Sequence, residues 1–106
     1  MKKNVRQIVI ADLLHTGGEN GLTLRELVQV TGQDERTIRR KIQSERKAGR
    51  IICSDNRHGY FLPESERDVR RFIRSMSRRS REIAAVSRAA EDALSRMTGQ
   101  ETVEGW

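Results

Sequence analysis

The sequence predicts a mainly α fold of the α+β class, with three helices, a β-hairpin and a long C-terminal helix in chain order. Three observations lead to this prediction. Apolar residues recur at helical spacing before residue 50. Two short apolar runs then flank a turn-forming segment, which is typical of a hairpin. Neither Gly nor Pro interrupts residues 64–98, so one helix can run through that stretch.

The first helix is predicted over 4–16, where apolar residues such as Ile8, Val9 and Leu13 give a broad buried face. It ends before 17–21, because three glycines and an asparagine in five residues cannot continue a helix. Leu22 then begins a stretch short enough for a single β-bridge.

The second and third helices are predicted from their caps. Thr23 and Glu26 have the spacing of a capping box, and Gly32 suits a left-handed C-terminal cap. Asp34 caps the third helix, where its carboxylate faces the positive end of the helix dipole. The third helix carries a thin apolar stripe, with Ile38 at its centre, and is basic almost everywhere else. Two helices joined by such a short turn form a helix-turn-helix.

The hairpin is predicted from two apolar runs, 51–53 and 60–62, separated by the turn-forming residues 54–59. Pro63 ends the second strand because it cannot donate to a β-ladder. We therefore predict a domain over 1–62, a long amphipathic helix over 63–98 and a flexible tail over 99–106.

Composition favours an anionic partner. The 106 residues include 21 Lys and Arg against 15 Asp and Glu, giving a formal charge of +6. Such a balance is typical of nucleic-acid binding but is not specific to it. The single cysteine excludes an intrachain disulfide and fits a reducing cytoplasm. No apolar run approaches the roughly 20 residues that span a bilayer, so we expect a cytoplasmic protein without membrane contact.

Order, spacing and caps together resemble one family, the winged helix-turn-helix domains of bacterial and phage repressors. The third helix of such domains reads cap, x, Arg, Thr, apolar, Arg, x, x, Ile, followed by an Ala-Gly turn and the wing. The matching residues here are Asp34, Arg36, Thr37, Ile38, Arg39, Ile42, Ala48, Gly49, Gly59 and Tyr60. The resemblance covers residues 1–62 and implies a recognition helix in the major groove of DNA.

One residue departs from the family pattern. Such domains usually place Leu three positions after Ile42, whereas this chain has Glu45. A buried unpaired carboxylate is costly. Glu45 is therefore either paired with an arginine or placed at the domain edge, and a slight rotation of the third helix is a further alternative.

The resemblance implies which residues meet DNA. Arginine reads guanine through two parallel hydrogen bonds, and Gln43 could read adenine. Thr37 or Arg40 would contact phosphate, and Arg57 at the wing tip suits a minor groove or a phosphate. The alternative is an ordinary solvated charged face. The predicted DNA-binding residues are Arg25, Arg36, Thr37, Arg39, Arg40, Gln43, Lys47 and Arg57.

The long helix predicts self-association. Its apolar residues recur in alternating steps of four and three, which is a heptad seam. The predicted dimerisation residues are Val69, Ile73, Met76, Ile83, Ala90, Leu94 and Met97, with Ser80 and Ser87 completing the pattern. Seven arginines and one acid give 67–81 a charge of +6, whereas 82–104 carries −3, so an antiparallel homodimer is favoured. Alternatively, the first turns pack on the preceding domain, another protein occupies the seam, or the arginines follow DNA phosphates.

No set of residues suggests catalysis. His15, His58 and Cys53 are scattered and lack zinc-ligand spacing, and no phosphate-binding glycine loop is present in the sequence. We predict no enzyme activity, cofactor, metal or small-molecule ligand, and we expect Cys53 to be a core residue. The hypothesis is sequence-specific binding of double-stranded DNA by a transcriptional regulator of bacterial or phage type. The alternative is a protein-interaction adaptor, such as a phage or replication accessory factor.

Overall fold

The computed structural model describes residues 8–99. Residues 8–72 belong to one compact unit, Met1–Phe72, and residues 73–99 belong to a second, Ile73–Trp106. The described chain is mainly helical, with one antiparallel hairpin and a long helix after it, which confirms the predicted fold class. The start of the predicted first helix and almost all of the predicted tail lie outside the described residues.

The segment before residue 17 differs from the predicted helix. Within residues 8–16 it contains only a short 3₁₀ helix, Ile10–Leu13, flanked by extended backbone at Val9 and Leu14. The reason is that Leu62 competes for main-chain groups that a longer helix would use in its own hydrogen bonds. The Leu62 amide donates to the His15 carbonyl at 2.9 Å, and the Gly17 amide donates to the Leu62 carbonyl at 2.9 Å. A second 3₁₀ turn, Gly18–Asn20, follows.

The two middle helices have the predicted caps. Helix α1 spans Leu24–Thr31, and the Thr23 hydroxyl and Glu26 carboxylate form a complete capping box. Gly32 closes α1 in the left-handed region, with φ of 75°. Helix α2 spans Glu35–Lys47, and its first turn is capped by the Asp34 side chain. The helix-turn-helix order of the sequence is therefore formed in the structure.

The hairpin consists of β1, Cys53–Asp55, and β2, Gly59–Phe61, paired antiparallel with Cys53 opposite Phe61. Leu22 forms the predicted bridge, exchanging main-chain hydrogen bonds of 2.8 and 2.9 Å with Tyr60. Gly59 has φ of 81°, and a Cβ built on it would lie 2.3 Å from the Leu22 carbonyl oxygen. Only glycine fits this close approach of two backbones.

The core of the first unit is small and aliphatic. Leu27 of α1 and Ile38 of α2 are fully buried, and Ile10 and Ile52 from the flanking segments pack against them. Cys53 is also buried, as predicted for a core residue. Burial raises the pKa of its thiol, and the nearby Asp68 carboxylate raises it further. Cys53 is therefore a protonated packing residue at neutral pH.

Helix α3 spans Glu66–Leu94, and a π-helical turn, Ser95–Gly99, follows it. Its start is held by the Asp68 carboxylate, which accepts a hydrogen bond from the Glu64 amide at 2.8 Å. At about 1.5 Å per residue, α3 is ~44 Å long. None of its residues is buried. Among the described residues, no helix combines the length and apolarity needed to cross a bilayer.

Candidate nucleic-acid interface

One face of α2 collects five of the predicted DNA-binding side chains. Ile38 and Ile42 face the core and are 0% and 2% exposed. The helix surface that points away from this stripe carries five of the predicted contact residues, all of them exposed. These residues are Arg36, Arg39, Arg40, Gln43 and Lys47. We call this set the α2 basic face. It presents four positive charges and one amide group along three turns of helix.

Glu45 shows that α2 is oriented as the pattern of its isoleucines predicts. Its carboxylate accepts hydrogen bonds from the main-chain amides of Ile10 at 2.6 Å and Ala11 at 2.9 Å. These amides begin the 3₁₀ helix and have no partner within it. Glu45 lies on the inner side of α2, three residues beyond Ile42. The three sequence alternatives, an arginine partner, an edge position or a slightly rotated helix, did not include this capping role.

Two cations of α2 are structural rather than outward-facing. Lys41 donates from Nζ to the Ile8 carbonyl at 3.2 Å. Arg46 donates from Nε and Nη2 to the Ile52 carbonyl at 2.9 and 2.6 Å. The Arg46 guanidinium also lies 4.7 Å from the Phe72 ring centroid and 6.0 Å from that of Tyr60, within cation–π range. Arg46 thus ties the last turn of α2 to the hairpin and to the start of α3.

The first turn of α2 combines a cap with one predicted contact residue. The Asp34 carboxylate accepts from the Thr37 amide at 2.8 Å. A hydrogen bond from the Thr37 side chain, then this amide, and then the charges of Arg36 and Arg40 lower the pKa of the Asp34 carboxyl. Because the Thr37 side chain helps to stabilise the ionised Asp34 carboxylate, a phosphate contact by Thr37 would compete with that interaction. Thr37 is half-buried.

Arg39 has an acidic neighbour on the same helix. Its Nη2 lies 3.9 Å from Oε1 of Glu35, one turn earlier, and both side chains are more than half exposed. An exposed pair of this kind contributes less than about 1 kcal/mol. It therefore leaves Arg39 able to exchange Glu35 for another acceptor at small cost.

The hairpin tip is held in shape by Asp55. Its Oδ1 accepts from the amides of Arg57 at 2.9 Å and His58 at 2.6 Å, and Oδ2 lies 2.9 Å from Nδ1 of His58. Partial burial opposes ionisation of Asp55, but these hydrogen bonds outweigh it and lower the pKa of the carboxyl. The Arg57 side chain is exposed on this ordered tip. Arg25 is likewise exposed, in the first turn of α1.

The predicted dimerisation residues fall into two groups. Val69 belongs to the first unit and is half-buried there, and Met76 in the second unit is also half-buried. The other seam residues of the second unit are exposed. These are Ile73, Ile83, Ala90, Leu94 and Met97. Val86, which the sequence pattern did not include, is 70% exposed beside them.

Within residues 8–99, no three His, Cys, Asp or Glu side chains come together as a candidate metal site. Comparison of the chain with protein-family models, curated proteins and solved structures finds no match.

Proposed function

We propose that the protein binds double-stranded DNA through the α2 basic face and acts as a transcriptional regulator of bacterial or phage type. The observation that supports this proposal most is that α2 has one side anchored in the core and the other side exposed. Ile38 and Ile42 fix α2 in the core, while its opposite side carries exposed side chains that can reach base edges and phosphates. A helix presented in this way fits the width of the major groove.

The side chains of the α2 basic face suit particular contacts. A guanidinium such as that of Arg39 can donate two parallel hydrogen bonds to O6 and N7 of guanine. The Gln43 amide can both donate to and accept from adenine. Lys47, at the last turn of α2, suits a phosphate as a point charge. The face therefore combines groups for reading bases with groups for fixing position on the backbone.

The rigid support of α2 also favours a specific interface. Glu45 and Lys41 hold the segment before α1, and Arg46 holds the hairpin. Base reading requires donors to be positioned within a fraction of an ångström, which rigid elements provide better than loops. The hydrogen bond to Asp55 likewise orders the hairpin tip that carries the exposed Arg57.

The first experiment is selection of bound sequences from a random duplex pool, followed by fluorescence anisotropy on the selected site. We expect Arg39→Ala to weaken binding to that site by about tenfold or more, the range for losing a bidentate base contact. Alanine retains helix propensity, so α2 should still form. Arg88→Ala is the matched control, since Arg88 is equally exposed but lies on α3.

Salt dependence separates DNA binding from other association. The logarithm of the association constant should fall linearly with the logarithm of salt concentration, and Lys47→Ala should reduce that slope by about one. No binding to duplex DNA at about 50 mM salt, where phosphate contacts are strong, would contradict the proposal. The adaptor function would then be the better account of the same surface.

A further inference from the structure

The second unit exposes an apolar strip that the described chain does not cover. Ile73, Ile83 and Leu94 are 55–62% exposed, and Met97 is 79% exposed. Val86 and Ile83, together with Glu82 and Ser87, line a shallow concave surface on the helix. A contiguous exposed apolar strip of this kind marks an association surface.

The strip is self-complementary when the helix is reversed. If two copies run antiparallel with residue 85 as the midpoint, each seam residue before residue 85 in one copy faces a seam residue that lies equally far after it in the other copy. Reversal brings Ile73 opposite Met97 and Met76 opposite Leu94. It also brings the small Ser80 opposite Ala90, and Ile83 opposite Ser87. Large side chains therefore meet large ones at both ends, and small or mixed pairs meet near the centre, as isologous twofold contact requires.

Charge distinguishes the two directions of pairing. Residues 73–81 contain four arginines and no acid, whereas 82–99 contain three acids and two arginines. A parallel pair would place the arginine-rich segments side by side. An antiparallel pair places each of them beside the partner's segment that holds Glu91 and Asp92. Opposite charges along neighbouring helices are favourable, and like charges are unfavourable by a similar amount.

We propose that the occupant of this strip is a second copy of the chain, paired antiparallel along Ile73–Met97, with the twofold axis crossing the seam at the height of residue 85. Each concave surface at Ile83 then faces the same surface of the partner. In this register the two Val86 side chains lie on the same flank of the seam and only two residues, about 3 Å, apart along the axis, which explains an exposed valine outside the strict heptad seam. This pairing does not depend on DNA, so its test and that of DNA binding can fail separately.

Sedimentation equilibrium of the full chain tests the association. We expect a species of twice 12.2 kDa that dissociates on dilution. Ile83→Arg should shift the protein to monomer, because it places two cations at the twofold axis. Ala85→Arg is the matched control, since residue 85 lies on the opposite face of the same helix, and it should remain dimeric. Circular dichroism of both variants at the same concentration checks that they fold.

Cysteine crosslinking tests the direction. Samples of Ser80→Cys, of Ala90→Cys and of an equimolar mixture are oxidised in parallel. The antiparallel register brings residue 80 of one copy opposite residue 90 of the other, so only the mixture should form a disulfide-linked dimer. Residues 80 of the two copies would then be separated by ten residues, about 15 Å along the axis, beyond disulfide reach. Cys53 is buried and common to all samples.

Three results would overturn the proposal. One is a monomer at every concentration, and another is equal dissociation of Ile83→Arg and Ala85→Arg. The third is crosslinking of the single-cysteine samples by themselves, which would show parallel pairing because identical residues then face each other.

Discussion

Helix α2 and the second-unit part of α3 have similar composition but opposite environments. Both are rich in arginine and carry a narrow apolar stripe at helical spacing. In α2 the stripe is covered, and Ile38 and Ile42 are almost completely buried. In α3 the corresponding stripe is open, and Ile83 remains 62% exposed.

The difference shows that an amphipathic pattern identifies the apolar face of a helix but not the element that packs against this face. For α2 the same chain supplies the neighbours, with Leu27 from α1 and Ile10 and Ile52 from flanking segments. For α3 the described part of the second unit, residues 73–99, contains only the helix itself and its terminal π turn. The same kind of stripe is therefore core in one helix and an association surface in the other.

The largest expected effect comes from truncating matched isoleucines. Ile38→Ala should lower the free energy of unfolding of the first unit by about 2–5 kcal/mol, because it removes buried methyl groups and leaves a cavity. Ile83→Ala should change it by less than about 0.5 kcal/mol under dilute, monomeric conditions, as for an exposed residue. Urea denaturation of both variants provides the measurement. An equal loss of unfolding free energy in the two variants would show that Ile38 and Ile83 are buried to the same extent.

A smaller effect is expected from matched glutamates. Glu45→Ala leaves two buried main-chain amides without their acceptor, and we expect a loss of about 1–3 kcal/mol. Glu82→Ala on exposed α3 should stay within about 0.5 kcal/mol of the parent. Hydrogen exchange sharpens the test, since Glu45→Ala should accelerate exchange at the Ile10 and Ala11 amides specifically. Unchanged exchange there would contradict the capping role.

The smallest effect concerns pH. Hydrogen bonds lower the pKa of Asp34 and of Asp55 in the folded protein. A carboxyl with a depressed folded pKa stabilises the fold above its unfolded pKa, and that stability is lost as pH falls through the folded value. We therefore expect stability to decrease below about pH 4, and Asp34→Asn to weaken that dependence. Parallel curves of stability against pH for parent and variant would contradict this assignment.

Much of the fold was predictable because it depends on local signals. The Thr23 and Asp34 caps, the Gly32 stop and the turn before Gly59 each act within a few residues, and the structure contains all of them. The outward side of α2 was predictable for a similar reason. Once Ile38 and Ile42 are assigned to the core, helical periodicity fixes which residues lie opposite.

What was not predictable depends on contacts distant in sequence. The segment before Gly17 has a helical apolar pattern, but Leu62 forms hydrogen bonds with the main chain of His15 and Gly17, and Glu45 caps the 3₁₀ turn Ile10–Leu13. The capping role of Glu45 had no local signal, because its partners lie 34 and 35 residues away. The Arg46 contacts were missed likewise, since the aromatic pattern of Phe72 and Tyr60 gives no indication of a shared cation.

The pairing of Leu22 with Tyr60, and of Thr16 with Leu62, has a consequence for the order of folding. These bridges close a long chain segment that contains both α1 and α2. Contacts so distant in sequence form late, because the entropy of closing the loop is lost before they contribute. During synthesis α1 and α2 would therefore emerge before the residues that lock them together. A nascent chain gains its final arrangement only after Leu62 has left the ribosome.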